Sequence, residues 1–316
     1  MIRSRSSRDA VIALESRRML SGNVQVTLNG STLTITGDNS NNELAVEQTV
    51  GGLQVRAING TKLNGTADGS LVFSNPSRIN LDLLGGNDQL FLSDFLGGTV
   101  NVQMGSGNDT LTLEGINSDG ALTIDLNSGN DRLEARLGGS EPTDSNVVGG
   151  NFTLQCGNGN DTVLIGALNA LQNISIDGNN GNDVIGLGAG RTDGTTSILL
   201  GNGNDTAGLS DRTLVGNFSL NAGNGDDLVG LNQLEVEGAS TIELGNGKDA
   251  LLSQSTAFYG NVSRKGGTGT DQIFSQNDTF FSGNNVTEFE LTVMNPSTIA
   301  SLASRLQKLF GINLGV

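Results

Sequence analysis

Apolar and polar residues alternate along most of the chain in short runs, and the runs recur with a fixed period. Each run follows an aspartate that closes a Gly-Asn-Gly-Asn-Asp-type turn: Asp88, Asp109, Asp131, Asp161, Asp183, Asp205, Asp227, Asp249 and Asp271. The spacings are 21, 22, 30 and then 22 five times, which marks a repeat architecture. The 30 reads as one repeat with an eight-residue insertion, expected to bulge out around Gly138–Asn146 and made acidic by Glu141 and Asp144. Residues two and four after the Asp are usually apolar, as in Leu111 and Leu113, Val163 and Ile165, Ile185 and Leu187, and Val229 and Leu231. This is strand alternation with one face turned inward. A short second arm carries an apolar residue nine after the Asp (Leu214, Val236, Phe258). Glycine stands eleven after it (Gly194, Gly216, Gly238, Gly260), read as a corner that needs an unusual dihedral. A third arm alternates again before the next turn: Leu122, Ile124 and Leu126; Phe152, Leu154 and Cys156; Phe218, Leu220 and Ala222.

Three arms and three corners predict an all-β, right-handed, three-sided parallel β-helix of about 22 residues per rung, over residues 74–294. Each arm then pairs with its counterpart ~4.8 Å away, and each rung touches only its neighbours. The inward residues Leu154, Val163, Ile165, Ile176, Ile185, Leu187, Leu220 and Ile242 should form buried columns. Open sheet edges at the ends of a coil invite aggregation, and both ends carry capping signals. Residues 23–73 read as antiparallel hairpins: Val24-Val26-Leu28 turns at Asn29-Gly30 into Leu33-Ile35, and Leu44-Val46 turns at Gly51-Gly52 into Leu53-Val55. In residues 295–316, Asn295-Pro296 starts a helix with Ile299, Leu302, Ala303, Leu306, Leu309 and Phe310 on one face, and Gly311 ends it. That helix is expected to lie as a lid over the last rung.

Composition narrows the function. The net charge is −16. Residues 1–22 hold five arginines against Asp9 and Glu15 and carry +3, so the remainder carries −19. A body this acidic repels phosphate backbones, which argues against nucleic acid and for cations as partners. No apolar run approaches the ~18 residues of a membrane span. Histidine and tryptophan are absent and tyrosine is limited to Tyr259. That excludes His-dependent nucleophilic catalysis and leaves few platforms for a sugar groove. The only cysteine, Cys156, falls at an inward position and reads as a buried thiol. The residue after each turn Asp is not a threonine array, so ice binding is not indicated.

The turns Gly105-Ser106-Gly107-Asn108-Asp109-Thr110-Leu111 and Gly201-Asn202-Gly203-Asn204-Asp205 resemble the RTX, or haemolysin-type, calcium-binding nonapeptide over roughly residues 84–275. The period differs: RTX motifs recur every ~9 residues and face one another in two rows, whereas this chain has one row. A second resemblance lies in Leu14-Glu15-Ser16-Arg17-Arg18-Met19-Leu20-Ser21. It is similar to the Leu-Glu-Pro-Arg-x-Leu-Leu signature of exported planctomycete proteins, with Ser16 in place of Pro. The first resemblance implies Ca2+ binding; the second implies an extracellular or cell-envelope location, with residues 1–22 as an export-like tail.

Nine carboxylates stacked at ~4.8 Å repel by ~0.9 kcal/mol per adjacent pair in water and ~3.5 kcal/mol at an effective dielectric near 20. Two solutions are open. Each Asp can accept N–H groups within its own turn, or the column can hold calcium. The candidate metal ligands are Asp161, Asp183, Asp205, Asp226 and Asp227. Asn158, Asn180, Asn202, Asn224 and Asn246 form a parallel column read as a stacked-amide scaffold. Arg191, Asp193, Asp211 and Arg212 could meet on adjacent second arms as a solvated ion-pair patch. The expected role is a non-enzymatic, secreted or cell-surface structural or adhesive module, with calcium or other cations and a cell-surface polysaccharide or protein as the expected partners. The alternative, from fold analogy, is a carbohydrate-active enzyme, a polysaccharide lyase or hydrolase.

Overall fold

The computed structural model describes residues 22–74, 76–94, 96–136, 146–289 and 296–310. The export-like signature, most of the insertion and the Asn295 helix cap lie outside these residues. The chain is a parallel β-solenoid of about 9 turns with ~22 residues per turn, 62% strand, and among the described residues it has one helix.

Each rung contributes a post-turn strand, a short strand and a pre-turn strand, and every strand pairs in parallel with its counterpart one period on. On the pre-turn face Ile176 pairs with Ile198, Ile198 with Leu220 and Leu220 with Ile242. On the post-turn face Val163 pairs with Ile185 and Ala207 with Val229. Like therefore stacks on like, and the expected columns form: Leu154, Val163, Ile165, Ile176, Ile185, Leu187, Leu220 and Ile242 are all buried. Cys156 is buried in the same core, and burial drives its thiol pKa upward.

The glycines eleven after each Asp do not have left-handed dihedrals. They are required by close approach instead. A Cβ on Gly216 would lie 2.3 Å from the carbonyl oxygen of Gly194, and one on Gly238 2.4 Å from that of Gly216.

At the N-terminal end β1 (Asn23–Asn29) pairs antiparallel with β2 (Thr32–Asp38), and β3 (Glu43–Thr49) with β4 (Gly52–Ala57). The turns centre on Gly30-Ser31 and Val50-Gly51, one residue away from the expected pairs. The shift moves partners by two and preserves which face each residue occupies, so the apolar set stays inside. β2 and β3 also pair in parallel with the first regular rung, at Ile35 with Leu81 and Val46 with Leu92. The cap is thus an extra rung with an antiparallel strand laid on it.

The helix α1 (Pro296–Phe310) forms as expected but takes a different seat. Ile299, Ala303 and Leu306 pack on Leu228, Ala250 and Leu252, with Leu302 and Phe274 at the margin. These are outward residues of the post-turn face, so α1 lies along the flank of the coil rather than across its end. The outward apolar residues after Asp227 and Asp249, and Gly230 between them, make this flank attractive. A Cβ on Gly230 would fall 2.5 Å from Leu306 Cδ1, so the missing side chain is the socket for Leu306. At the C-terminal end Arg264 occupies the column position of Ile242 and is buried. Its guanidinium lies 4.9 Å from the Phe280 ring centroid and donates to Asn284 Oδ1 at 3.0 Å. An inward charge on a terminal rung discourages another sheet from adding there.

The two leucines Leu199 and Leu220 test this register, because they face opposite ways on neighbouring strands. Leu220 is fully buried and Leu199 is 43% exposed. Leu220→Ala should cost ~2–5 kcal/mol and Leu199→Ala within ~0.5 kcal/mol, read by urea unfolding.

Candidate functional site

The recurrent turn is the site that the sequence singles out. Its two glycines have positive φ, 105° at Gly201 and 134° at Gly203. A Cβ on Gly203 would stand 1.8 Å from the carbonyl oxygen of Gly181 below. This backbone sends the following Asn outward and the Asp inward.

All nine turn aspartates are buried. Each from Asp109 onward accepts the backbone N–H of the Asp one rung earlier on Oδ1, and Asp88 accepts that of Asn42; the distances run from 2.6 to 3.0 Å. The expected bonds within each turn are replaced by bonds between rungs. The reason is geometric: the Asp N–H sits at a corner where no strand partner can reach it, and the carboxylate of the next rung lies directly over it. The column begins at Asn42, which stands where later rungs carry Asp and donates Nδ2–H to Asp88 Oδ1 at 3.2 Å. The ladder therefore opens on a neutral amide. Asn41-Asn42-Glu43-Leu44 matches Asn87-Asp88-Gln89-Leu90, 46 residues later, and that match was the available signal.

The second carboxylate oxygen, Oδ2, of Asp88, Asp109, Asp131, Asp161, Asp183, Asp205, Asp227 and Asp249 is buried without a hydrogen-bond partner. Burial raises the pKa of every one of these groups. Asp109, Asp161 and Asp205 are pushed up to about 6, Asp88, Asp131, Asp183 and Asp249 to about 7, and Asp227 to about 8. The backbone N–H bond opposes the rise at each, and at Asp227 the charges of Asp205, Asp249 and Asp226 add to it. Burial therefore favours the protonated acid along the column, and each proton taken up removes one carboxylate's repulsion with its neighbours.

Outside this column a second ladder runs with opposite polarity. The N–H of Asn108 donates to Asn87 Oδ1 at 2.8 Å, Asn130 to Asn108 at 2.7 Å, Asn182 to Asn160 at 2.7 Å and Asn204 to Asn182 at 2.6 Å. Asp226 and Lys248 continue this outer column, with Lys248 N–H on Asp226 Oδ1 at 2.9 Å. Asp226 is exposed and Asp227 buried, so the doublet does not converge. The third ladder is the expected amide stack: Asn180 Nδ2 donates to Asn158 Oδ1 at 2.9 Å, Asn202 to Asn180 at 2.8 Å, Asn224 to Asn202 and Asn246 to Asn224 at 2.7 Å.

Of the proposed metal ligands, Asp161, Asp183, Asp205 and Asp227 share the inner column and Asp226 lies on the other side of the turn. Each inner Asp has one oxygen left, facing the core, while calcium takes six to eight oxygens. Among the described residues no three His, Cys, Asp or Glu side chains gather as a metal cluster. No protein-family model matches the chain, and no curated protein or solved structure is significantly similar to it.

The ion-pair patch on the second arms does not assemble either. Arg191 and Asp193 pair at 2.6 Å on the surface and Asp211 is exposed. Arg212 instead turns inward, fully buried, and donates to the carbonyls of Gly188 at 2.7 Å and Leu168 at 2.8 Å. Burial lowers its pKa to about 10. Gly190 precedes it in the same column, and a Cβ there would lie 3.2 Å from Arg212 Nη1. The side chain that Gly190 lacks is the space the guanidinium fills.

The ladder sets a pH dependence. Its folded-state pKa values of about 6 to 8 exceed the unfolded value of ~3.9. The folded state therefore holds more protons between about pH 4 and 8, and stability falls as pH rises through that window. The melting temperature should be higher at pH 5 than at pH 8. Asp183→Asn/Asp205→Asn should flatten the dependence, because Asn keeps the acceptor without the charge. Asp205→Ala strands the Asp183 N–H and should cost ~1–3 kcal/mol at either pH.

Proposed function

We propose that the chain is a non-enzymatic structural module of the cell exterior, a rigid β-solenoid that presents surfaces to other molecules. The observation that carries this reading is where the repeated polar residues go. Asp, Asn and the inward Arg212 are used between rungs, to complete backbone hydrogen bonds that the strands leave open at the corners. Each of these bonds ties one rung to the next in a fixed register. The external location is supported by the similarity of Leu14–Leu20 to an export signature.

We infer further that the inner ladder is held by backbone bonds and protons, with no calcium. Its free oxygens supply one ligand per rung, and the acidic partner that could widen the set, Asp226, faces solvent. Melting temperature should be the same in millimolar calcium and in chelator; a calcium-dependent rise would restore the calcium reading. The purified protein should leave neutral and uronate polysaccharides unchanged, measured by released reducing ends. Catalytic turnover of any of them would overturn the structural assignment in favour of an enzyme.

A further inference from the structure

The outward side of the post-turn face carries a depression of 360 Å³ near the N-terminal end, lined among others by Glu43, Glu47, Arg56, Phe91, Thr112 and Glu114. It lies apart from the turn ladders and from α1. Parallel register builds it: Ala45 pairs with Phe91 and Phe91 with Thr112, while Glu47 pairs with Ser93 and Ser93 with Glu114. Phe91 therefore stands between two small residues and is 38% exposed, on a chain whose aromatics amount to 4%. Glu47 and Glu114 flank it two strand spacings apart, ~10 Å.

The charges are incompletely matched. Arg56 Nε lies 3.6 Å from Glu47, and Glu43 accepts Asn59 Nδ2 at 2.5 Å. The Glu114 carboxylate forms no ion pair with a described residue. Thr112 is only 7% exposed, yet its hydroxyl bonds to no described residue and lines the depression. Arg136 stands beside Glu114 in register but is turned to Glu134, so the lining itself holds three carboxylates against one guanidinium and is acidic. An aromatic face beside an excess of carboxylates attracts an organic cation, whose ammonium meets the carboxylates and whose carbon stem covers the ring.

We propose that this depression is a docking site for a lysine side chain of a partner protein. The stem of the lysine lies over Phe91, and its ammonium donates to the carboxylates of Glu114 and Glu47 and to the Thr112 hydroxyl oxygen beside them. A single aromatic platform favours one inserted side chain over a sugar polymer, which would need platforms in series. The net charge of −16 draws basic partners toward the whole surface, and the depression supplies a specific seat. The inference rests on the reading of the chain as a surface-presenting module.

The test uses the full chain and a short lysine peptide followed by NMR titration, with three comparison probes: the same peptide with acetylated lysine, an arginine peptide, and a chitosan oligomer. The expected result is saturable binding of the lysine peptide that acetylation abolishes. Phe91→Ala and Glu114→Gln should each weaken it at least tenfold, while Asp193→Asn, an equal charge change on the far flank, leaves it unchanged. Circular dichroism confirms that each variant keeps its fold. Equal weakening by Asp193→Asn, or none by Phe91→Ala and Glu114→Gln, would show diffuse acidity and overturn the site. Chitosan binding through the same residues without peptide binding would overturn the protein partner and assign the seat to an amino sugar. Either failure leaves the structural assignment standing, because that depends on polysaccharide turnover.

Discussion

The constraint on which this structure depends is the hydrogen-bond requirement of backbone amides at corners. Along its strands a parallel coil satisfies N–H and C=O groups through the neighbouring rung. At a corner the chain changes direction, and the amides there point past any strand partner. A buried unpaired amide costs about as much as several favourable contacts contribute. This chain meets the requirement with side chains from adjacent rungs. Asp Oδ1 serves the inner amide and Asn Oδ1 the outer one, while Arg212 serves carbonyls where the column is interrupted at Gly190.

That solution dictates the electrostatics. A repeated acceptor at one corner means a repeated carboxylate, and stacking places like charges a single strand spacing apart. Burial and proximity then favour the protonated acid, and the raised pKa values follow from the architecture. A perturbed carboxylate in a cleft would point to chemistry. Here the same perturbation recurs from corner to corner of one column, where the bond between rungs requires a carboxyl at each.

Much of this was legible in the residues. The 22-residue period, the alternation around Val163 and Leu220 and the Asn158–Asn246 amide stack follow from spacing alone. The direction of the Asp bonds did not, because an Asx-turn and a bond between rungs need the same residue at the same position. Asn42 was hidden because the cap breaks the period and Asn replaces the acid. The seat of α1 depended on outward residues such as Leu228, Leu252 and Gly230, which a search for inward columns passes over. Arg212 misled because a charged residue on a short arm is usually solvated, and its partners are carbonyls about one and two rungs away in sequence.

The opposite polarity of the inner and outer ladders has a consequence for how such a chain can change length. Each rung lends one acceptor backward and one forward, so any rung is interchangeable with its neighbour provided that a whole period is added or removed. Duplication of 22 residues keeps every ladder joined. A one-residue insertion inside a rung shears the inner and outer seams in the same stroke and exposes both sets of corner amides. Length can therefore drift in evolution by unit steps, and irregular growth is confined to places such as the eight-residue insertion between Asp131 and Asp161, after which the 22-residue period resumes.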